Sequence, residues 1–246
     1  MINPNFLLQA GPVLSTEKYA CRSSGHSFSY CPFDAIKNLD VEKNRLHSIP
    51  VGSVEFVKEY CDHVGIRLPT ESLTYLDEIQ PFIKRAIRKG IFKEAKDNEF
   101  VKPVAVKTFT GDIKSDVKDV LDDTPVWISE QVRFESEFRF YILTDVIRSR
   151  VTGWSRYDDL DCTNPDPDPE FVFSIAEEVR KNTGPNAFSI DIGWRPDLKC
   201  YDVVELNDAW SLGLYNNTDP QSCPPSAEDY AEMLISRWAQ TLFCNL

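Results

Sequence analysis

Two short segments near the C-terminal end of the sequence carry oxygen-bearing side chains at a spacing typical of β-strands. Residues 187–194 and 201–208 each alternate in polarity, and residues 195–199, Arg-Pro-Asp-Leu-Lys, separate them with turn chemistry. Two alternating segments joined by a short polar loop predict a β-hairpin. Four apolar side chains would form its inward face: Ile190, Ile192, Val204 and Leu206.

The outward face of this predicted hairpin carries carboxylates. If the loop is centred on Leu198, Asp191 lies across from Glu205, with Asn207 on the same face. Two facing carboxylates repel each other, and a hard cation with oxygen ligands would neutralise them. Magnesium accepts these side chains while keeping waters and phosphate oxygens, so the spacing predicts a magnesium site. The alternative is an amphipathic edge hairpin with a solvated polar face, and a one-residue shift would separate the pair.

Strands and helices upstream and downstream must position this hairpin. Four runs rich in β-branched and aromatic residues predict an antiparallel sheet: 100–107, 126–132, 138–143 and 146–154. Four helices are predicted from capping signals and helical spacing: 54–65 after Ser53, 81–90 opened by Pro81, 169–181 after Asp168, and 226–243 opened by Ser226. The hairpin therefore lies between the last two helices.

The composition excludes several classes of function. With 27 Lys and Arg against 39 Asp and Glu, the formal charge of −12 disfavours general binding to nucleic acid. No apolar run reaches the roughly 18 residues of a membrane span, and the N-terminus does not resemble a secretory signal. Seven scattered cysteines without a CxxC pair predict a reduced, cytoplasmic protein. The three histidines all lie in the first 63 residues, away from any nucleophile motif, which argues against a hydrolase.

The order of the polar residues resembles the ATP-grasp superfamily, in particular a compact branch found in bacteria and phages. In that superfamily an acidic residue on one strand and Glu-x-Asn on the next strand hold the magnesium ions of Mg-ATP. Asp191, Glu205 and Asn207 match this pattern. The resemblance covers residues 100–210 and extends more loosely over residues 45–100.

Further motifs upstream follow the order of the superfamily, in which a lysine-bearing strand and a second lysine precede a hinge strand with acidic residues. The matching segments are Phe100-Val101-Lys102-Pro103, Lys107-Thr108-Phe109-Thr110-Gly111, Ser129-Glu130-Gln131-Val132 and Glu137-Phe138-Arg139. By resemblance, Lys102 and Lys107 contact the phosphates or the adenine edge, and Glu137 binds the ribose hydroxyls. The backbone of Glu130, Gln131 and Val132 would read the adenine. The usual glycine-rich loop over the phosphates is reduced to residues 108–111.

The resemblance implies an α+β (α/β) ATP-grasp fold, with two antiparallel-sheet lobes that grip ATP and a small N-terminal α/β lobe. We expect residues 1–97 to form the N-terminal lobe and residues 98–246 to form the nucleotide-binding and catalytic region. ATP and Mg²⁺ are the expected cofactors. The protein would act in the cytoplasm, or in the host cytoplasm if the chain is phage-encoded, and its oligomeric state is open.

ATP-grasp enzymes typically phosphorylate a carboxylate and then let an amine or thiol attack the acyl phosphate. The resemblance therefore implies an ADP-forming carboxylate–amine (or thiol) ligase acting on a small-molecule, peptide or protein carboxylate. Arg139, Arg148 and Lys107 are the candidate catalytic residues, since an arginine fork suits a carboxylate or phosphate. A phosphotransferase on the same scaffold and a non-catalytic nucleotide-binding module are the alternatives.

Overall fold

The computed structural model describes residues 4–106, 108–158, 164–182, 184–215 and 219–244. Within these residues the chain forms five α-helices and three β-sheets, of which one is parallel and two are antiparallel. The predicted α+β architecture, with two antiparallel sheets and an N-terminal α/β unit, is confirmed. No helix in the described part of the chain is long and apolar enough to cross a membrane.

The N-terminal unit is a three-stranded parallel sheet in the order β2-β1-β3. Its strands are β1 (Asn5–Gln9), β2 (Ser27–Cys31) and β3 (Ser48–Val51). Its helices are α1 (Ser15–Ser23), α2 (Val41–His47) and α3 (Val54–Val64), with a 3-10 helix at Phe33–Asn38. The side chains of Phe6 and Leu8 are fully buried, as expected for a central parallel strand covered on both faces.

Capping signals in the sequence correctly located three helices. At the start of α3, Ser53 Oγ accepts a hydrogen bond from a backbone N–H (3.2 Å). The helices α4 (Pro169–Lys181) and α5 (Ala227–Phe243) follow Asp168 and Ser226, whose side chains accept from backbone N–H groups in the same way. Each cap satisfies one of the donors that a helix N-terminus leaves free, which is why these boundaries could be predicted.

The helix predicted after Pro81 is wrong. Pro81 lies inside a 3-10 helix, Asp77–Phe82, and the chain then extends into strand β4 (Ile87–Ile91). This strand pairs along its whole length with β7 (Pro125–Ser129). Its apolar residues, Ile87 and Ile91, fit a strand period as well as a helical one, and pairing with β7 outweighs the local helix signals.

The first antiparallel sheet has the order β4-β7-β5-β6 and two chemically different faces. Its other strands are β5 (Phe100–Pro103) and β6 (Asp112–Ile113), and a 3-10 helix, Phe92–Glu94, follows β4. One face buries three apolar side chains: Val101, Val126 and Ile128. On the other face, Lys89 and Lys102 are the cross-strand neighbours of Trp127. This face therefore carries a cationic row.

The second antiparallel sheet has the order β11-β10-β8-β9 and contains the predicted hairpin. Its strands are β8 (Glu135–Thr144), β9 (Ser149–Arg156), β10 (Ala187–Arg195) and β11 (Cys200–Asp208). Helix α4 packs on its apolar face, while α5 packs in the core of the N-terminal unit. The four upstream runs expected in one antiparallel sheet are thus divided between two sheets, because alternation defines a strand's faces but not its partners.

Segment 70–75 joins the two antiparallel sheets through its backbone. Ser72 N–H donates to the carbonyl of Val104 just beyond β5 (2.9 Å), and Leu206 N–H of β11 donates to the carbonyl of Thr74 (3.2 Å). The boundary at residues 97 and 98 stays a prediction. In the structure, both this segment and β4 precede that boundary and contact the sheets that follow it.

Candidate active site

The register predicted for the hairpin is confirmed. Across β10 and β11, Asp191 pairs with Glu205 and Ser189 pairs with Asn207. Residues that are directly opposite each other in an antiparallel pair share a face, with Cβ atoms about 4.5–5.5 Å apart. The structure therefore brings the three predicted metal ligands together.

A β-bulge produces this register. Ile192 pairs with Val203, so Val204 has no partner in the ladder with β10. Val203 is fully buried in the apolar core under the sheet, whereas Val204 is only partly buried. The expected place of Val204 in the inward face is therefore wrong, because the extra residue passes that place to its neighbour.

Asp191 is buried and paired with a cation. Its side chain is 1% exposed, and Arg139 on β8 binds it through Nε to Oδ1 at 2.8 Å and Nη2 to Oδ2 at 2.6 Å. Asn207 Nδ2 donates to Oδ2 (3.2 Å), and Ser189 Oγ donates to Oδ1 (3.4 Å). Burial alone would lower the pKa of Arg139, but the attraction of Asp191 raises it above its ordinary value. The two residues form an ionised pair inside the protein.

Glu205 faces a cavity of about 410 Å³ between the two antiparallel sheets. Its walls come from β5, the loop that includes Thr110 and Gly111, segment 71–74 and β11. Lys102 Nζ on β5 forms an ion pair with Glu205 Oε2 on β11, and the two side chains are 24% and 18% exposed. A separate cavity of about 530 Å³, between α4, α5 and residues 67–78, contains none of the predicted site residues.

The repulsion argument for a metal ion is wrong, because the protein supplies its own countercharges. Arg139 neutralises Asp191 and Lys102 neutralises Glu205. The donor chemistry still fits magnesium, which takes one or two carboxylates and completes its shell with phosphate oxygens and water. Among the described residues no three His, Cys, Asp or Glu side chains form a metal cluster, so protein ligands alone would not fill that shell.

A family model matches residues 82–223, more than half of the chain, and describes an ATP-grasp domain, the second family of its clade. The chain belongs to this family. The matched segment spans both antiparallel sheets and the Asp191–Glu205 pair, so the resemblance seen in the sequence is confirmed. No curated protein matches the chain.

Solved ATP-grasp structures share this fold over nearly the whole chain. The ATP-grasp ligase PsnB, complexed with minimal precursor, has a TM-score of 0.52 at 14% identity and covers 96% of this chain and 99% of its own. D-alanine–D-alanine ligase from Bacillus anthracis has a TM-score of 0.51 at 10% identity, over 100% of both chains. VanG D-Ala:D-Ser ligase from Enterococcus faecalis has 0.50 at 13%, over 96% and 99%. At these identities the likeness shows the ATP-grasp fold alone.

The segment predicted to read adenine lies where the two ATP-grasp sheets join. Glu130, Gln131 and Val132 follow β7 of the first sheet and precede β8 of the second. Glu130 Oε1 accepts a hydrogen bond from Ala86 N–H (3.3 Å), which ties this connection to the segment before β4. The position is that of a hinge between the sheets, and the contact with adenine stays a prediction.

The two predicted lysines differ in what the structure describes. Lys102 lines the cavity, whereas Lys107 lies outside the described residues, so its phosphate contact and catalytic role stay predictions. The short loop that follows packs tightly on β5, since a Cβ at Gly111 would come within 2.9 Å of the Phe100 ring. A larger side chain at that glycine would have to displace the ring.

The two candidate substrate arginines are far apart in the ATP-grasp sheet. Arg148 is exposed in the turn between β8 and β9, where its backbone N–H donates to Asp145 Oδ1 (2.9 Å). The structure therefore does not bring Arg148 to the carboxylates. Arg139 lies beside them, but its fork holds Asp191 and its Nη1 donates to the carbonyl of Gly213 (3.3 Å). Its contact with a substrate acid stays a prediction.

Two tyrosines that the sequence did not indicate cover Arg139. The rings of Tyr157 and Tyr215 stack with their centres 5.0 Å apart, and Arg139 Cζ lies 4.8 Å from the centre of the Tyr215 ring. Tyr215 N–H also donates to the hydroxyl of Tyr141 on β8 (2.8 Å). Both stacked residues lie outside helices and strands, so periodicity carries no signal for them.

Glu137, the predicted ribose ligand, lies beside this stack. Tyr157 OH donates to Glu137 Oε2 (2.9 Å). Burial raises the pKa of Glu137, and the nearby charges of Asp191 and Asp158 raise it further, whereas the hydrogen bond from Tyr157 opposes them. The ionised carboxylate is thus less favourable in the folded chain than in water.

Replacing Glu137 with glutamine is expected to change how stability depends on pH. Because the folded pKa is raised above its ordinary value of 4.5, the contribution of Glu137 to stability is full below that pH and is lost as pH rises through the folded pKa. The free energy of unfolding of Glu137→Gln relative to the wild type should therefore rise between pH 4.5 and pH 8. Urea unfolding of both chains at the two pH values measures this, and a pH-independent difference would contradict it.

Proposed function

We propose that the chain is an ADP-forming ligase that binds Mg-ATP between its two antiparallel sheets and joins a carboxylate to an amine or thiol. The observation that carries this proposal is the cavity between the sheets, where Lys102 of one sheet meets Glu205 of the other beside Asn207. A cation and oxygen ligands on opposite walls match the two charge types that a metal–triphosphate complex presents. The ATP-grasp family membership supports the same assignment.

The proposed reaction has two steps. A carboxylate oxygen of the substrate attacks the γ-phosphorus of ATP, the β–γ bridging P–O bond breaks, and ADP leaves. The amine or thiol then attacks the acyl carbon, inorganic phosphate leaves, and the nucleophile loses a proton. The first step brings two anions together, so the site must supply positive charge before the reaction begins.

Lys102 would supply part of this charge by turning from Glu205 to a phosphate oxygen. Its carbon chain rises from a rigid strand and lies next to Trp127, so the ammonium can move while the backbone stays fixed. Once released, Glu205 could act with Asn207 and Asp191 as a metal ligand. A bound magnesium ion would neutralise phosphate oxygens as charge builds up in the transition state.

The substrate acid is left at the level of its class. Among the structural relatives, PsnB is complexed with a precursor and D-alanine–D-alanine ligase is named for a small amino acid. Both a peptide and a small-molecule carboxylate are therefore compatible with this fold.

Nucleotide binding is the first test of the proposal. With a non-hydrolysable ATP analogue at about 100 times its Kd and excess Mg²⁺, stabilisation of about 2.7 kcal/mol is expected, a rise in Tm of roughly 5–10 °C for a chain of this size. The rise should be much smaller in EDTA. No magnesium-dependent rise at millimolar analogue would contradict the proposal and leave a module that does not use Mg-ATP.

Hydroxylamine trapping then separates the ligase from a phosphotransferase. The protein is incubated with Mg-ATP, pools of amino acids, peptides or other acids, and hydroxylamine. A hydroxamate together with ADP indicates an acyl phosphate and supports the ligase. A stable phosphorylated product that resists hydroxylamine would instead assign the kinase-like alternative.

A further inference from the structure

Glu205 and Asn207 reach the cavity face only because β11 contains the bulge at Val204. The loop end of the hairpin sets the pairing of Ile192 with Val203. If that pairing continued without a bulge, Val204 would face Asp191, and Glu205 would face Ile190 on the buried side of the sheet. The single extra residue therefore decides whether two of the predicted ligands point to the cavity or into the core.

Arg85 binds this bulge from outside the hairpin. Its Nη1 donates to the carbonyl of Val203 (2.5 Å) and its Nη2 donates to the carbonyl of Val204 (3.0 Å). Successive carbonyls of a regular strand point to opposite edges, so one side chain reaches both only where the strand is distorted. The planar guanidinium can donate to both at once.

Arg85 is held rigidly for this contact. Its side chain is 3% exposed and pairs with the fully buried Asp202 at 3.0 Å. It also donates to Tyr75 OH (3.1 Å) and packs against the Phe134 ring. Arg85 belongs to a basic run that the composition assigns to surface or polyanion binding, yet its position excludes both roles. A buried cation that directs two donors to one bulge fits a positioning task.

We propose that Arg85 is a positioning residue for the metal site, because its fork fixes the bulge at Val204 and thereby holds Glu205 and Asn207 on the cavity face. This inference rests on the proposed function, since the register has chemical consequences only if those side chains bind the metal of a metal–nucleotide complex. Arg85 itself does not touch the cavity and acts through the backbone of β11.

The variant Arg85→Lys tests this role. Lysine keeps the charge opposite Asp202 but cannot present two parallel donors to both carbonyls. With Mn²⁺ as the probe and saturating ADP, the Kd for Mn²⁺ measured by electron paramagnetic resonance should rise by about tenfold or more, which corresponds to at least ~1.4 kcal/mol. Binding of ADP alone in EDTA should stay within about twofold of the wild type.

The matched control is Tyr75→Phe, which removes one hydrogen bond of Arg85 but leaves both bulge contacts. Its Mn²⁺ affinity should equal that of the wild type. A loss as large as that of Arg85→Lys would show that general loosening around Arg85 is sufficient, and it would overturn the inference.

Deletion of Val204 supplies an independent test. A chain without this residue can pair Ile192 with Val203 and Asp191 with Glu205 in a regular ladder, so it should bind Mn²⁺ without help from Arg85. Arg85→Lys should then cost less than about twofold in the deletion background. Equal losses in both backgrounds, or wild-type Mn²⁺ affinity in Arg85→Lys itself, would overturn the inference. A wild type that binds no Mn²⁺ with ADP would instead contradict the proposed function.

Discussion

Replacing Asp191 with asparagine is expected to lower the free energy of unfolding by about 3–5 kcal/mol, because it leaves the buried guanidinium of Arg139 without a countercharge. Arg139→Met should cost a similar amount by stranding the Asp191 carboxylate. The double variant should recover most of the loss, since it buries neither charge and the new amide oxygen at position 191 can still accept from Asn207 and Ser189. Urea unfolding of the four chains measures the coupling directly.

The same four chains separate stability from function. If Asp191 is a metal ligand, the double variant regains stability but not the magnesium-dependent part of its stabilisation by an ATP analogue. The buried pair Arg156–Asp158, at 2.9 Å, is a matched control. Its variants should lose stability while the magnesium dependence survives. Full recovery of magnesium-dependent stabilisation in Asp191→Asn with Arg139→Met would restrict Asp191 to a structural role.

The part of the site that could be predicted from the sequence is the part set by local geometry. Alternation and a short loop were sufficient to pair Asp191 with Glu205. The bulge was not visible, because a centre at Leu198 gives the right pairing near Asp191 while the strands near the loop pair one residue differently. Val204 consequently received a place in the core that Val203 occupies.

The partners of the carboxylates could not be predicted, because they come from distant parts of the chain. Arg139 pairs with a residue 52 positions away, and Lys102 belongs to the other antiparallel sheet. The sequence suggested both as cations for ATP or its substrate, which the structure leaves open, but it could not show that they neutralise the predicted metal ligands. Arg85, 118 positions from Val203, was hidden for the same reason.

These two ion pairs differ in burial, and that difference decides what each substitution does. The Arg139–Asp191 pair is 9% and 1% exposed, so breaking it is costly for the fold. The Lys102–Glu205 pair is 24% and 18% exposed and lines an open cavity, so water can replace either partner. We therefore expect the second pair to contribute little to stability and much to the reaction.

Replacing Lys102 with methionine is expected to change the free energy of unfolding by no more than about 1 kcal/mol, yet to lower kcat for ATP-dependent product formation by roughly 10²–10³-fold. The stem of methionine preserves the packing beside Trp127, while the charge opposite the phosphates is lost. Lys102→Arg keeps the charge and should lose much less. Urea unfolding and steady-state ADP release, measured once a substrate acid is found, provide the two readouts.

The exchange of Lys102→Glu with Glu205→Lys distinguishes a chemical role from a mechanical one. The exchanged chain can re-form an ion pair between the two sheets, so any contribution of this contact to holding the sheets together is restored. The lysine now stands on the strand of the predicted metal ligands, and the carboxylate stands where the phosphates need a cation. Turnover should therefore remain as low as in Lys102→Met. Recovery of turnover would mean that the pair only fastens the sheets, and the metal and phosphate roles assigned to it would be wrong.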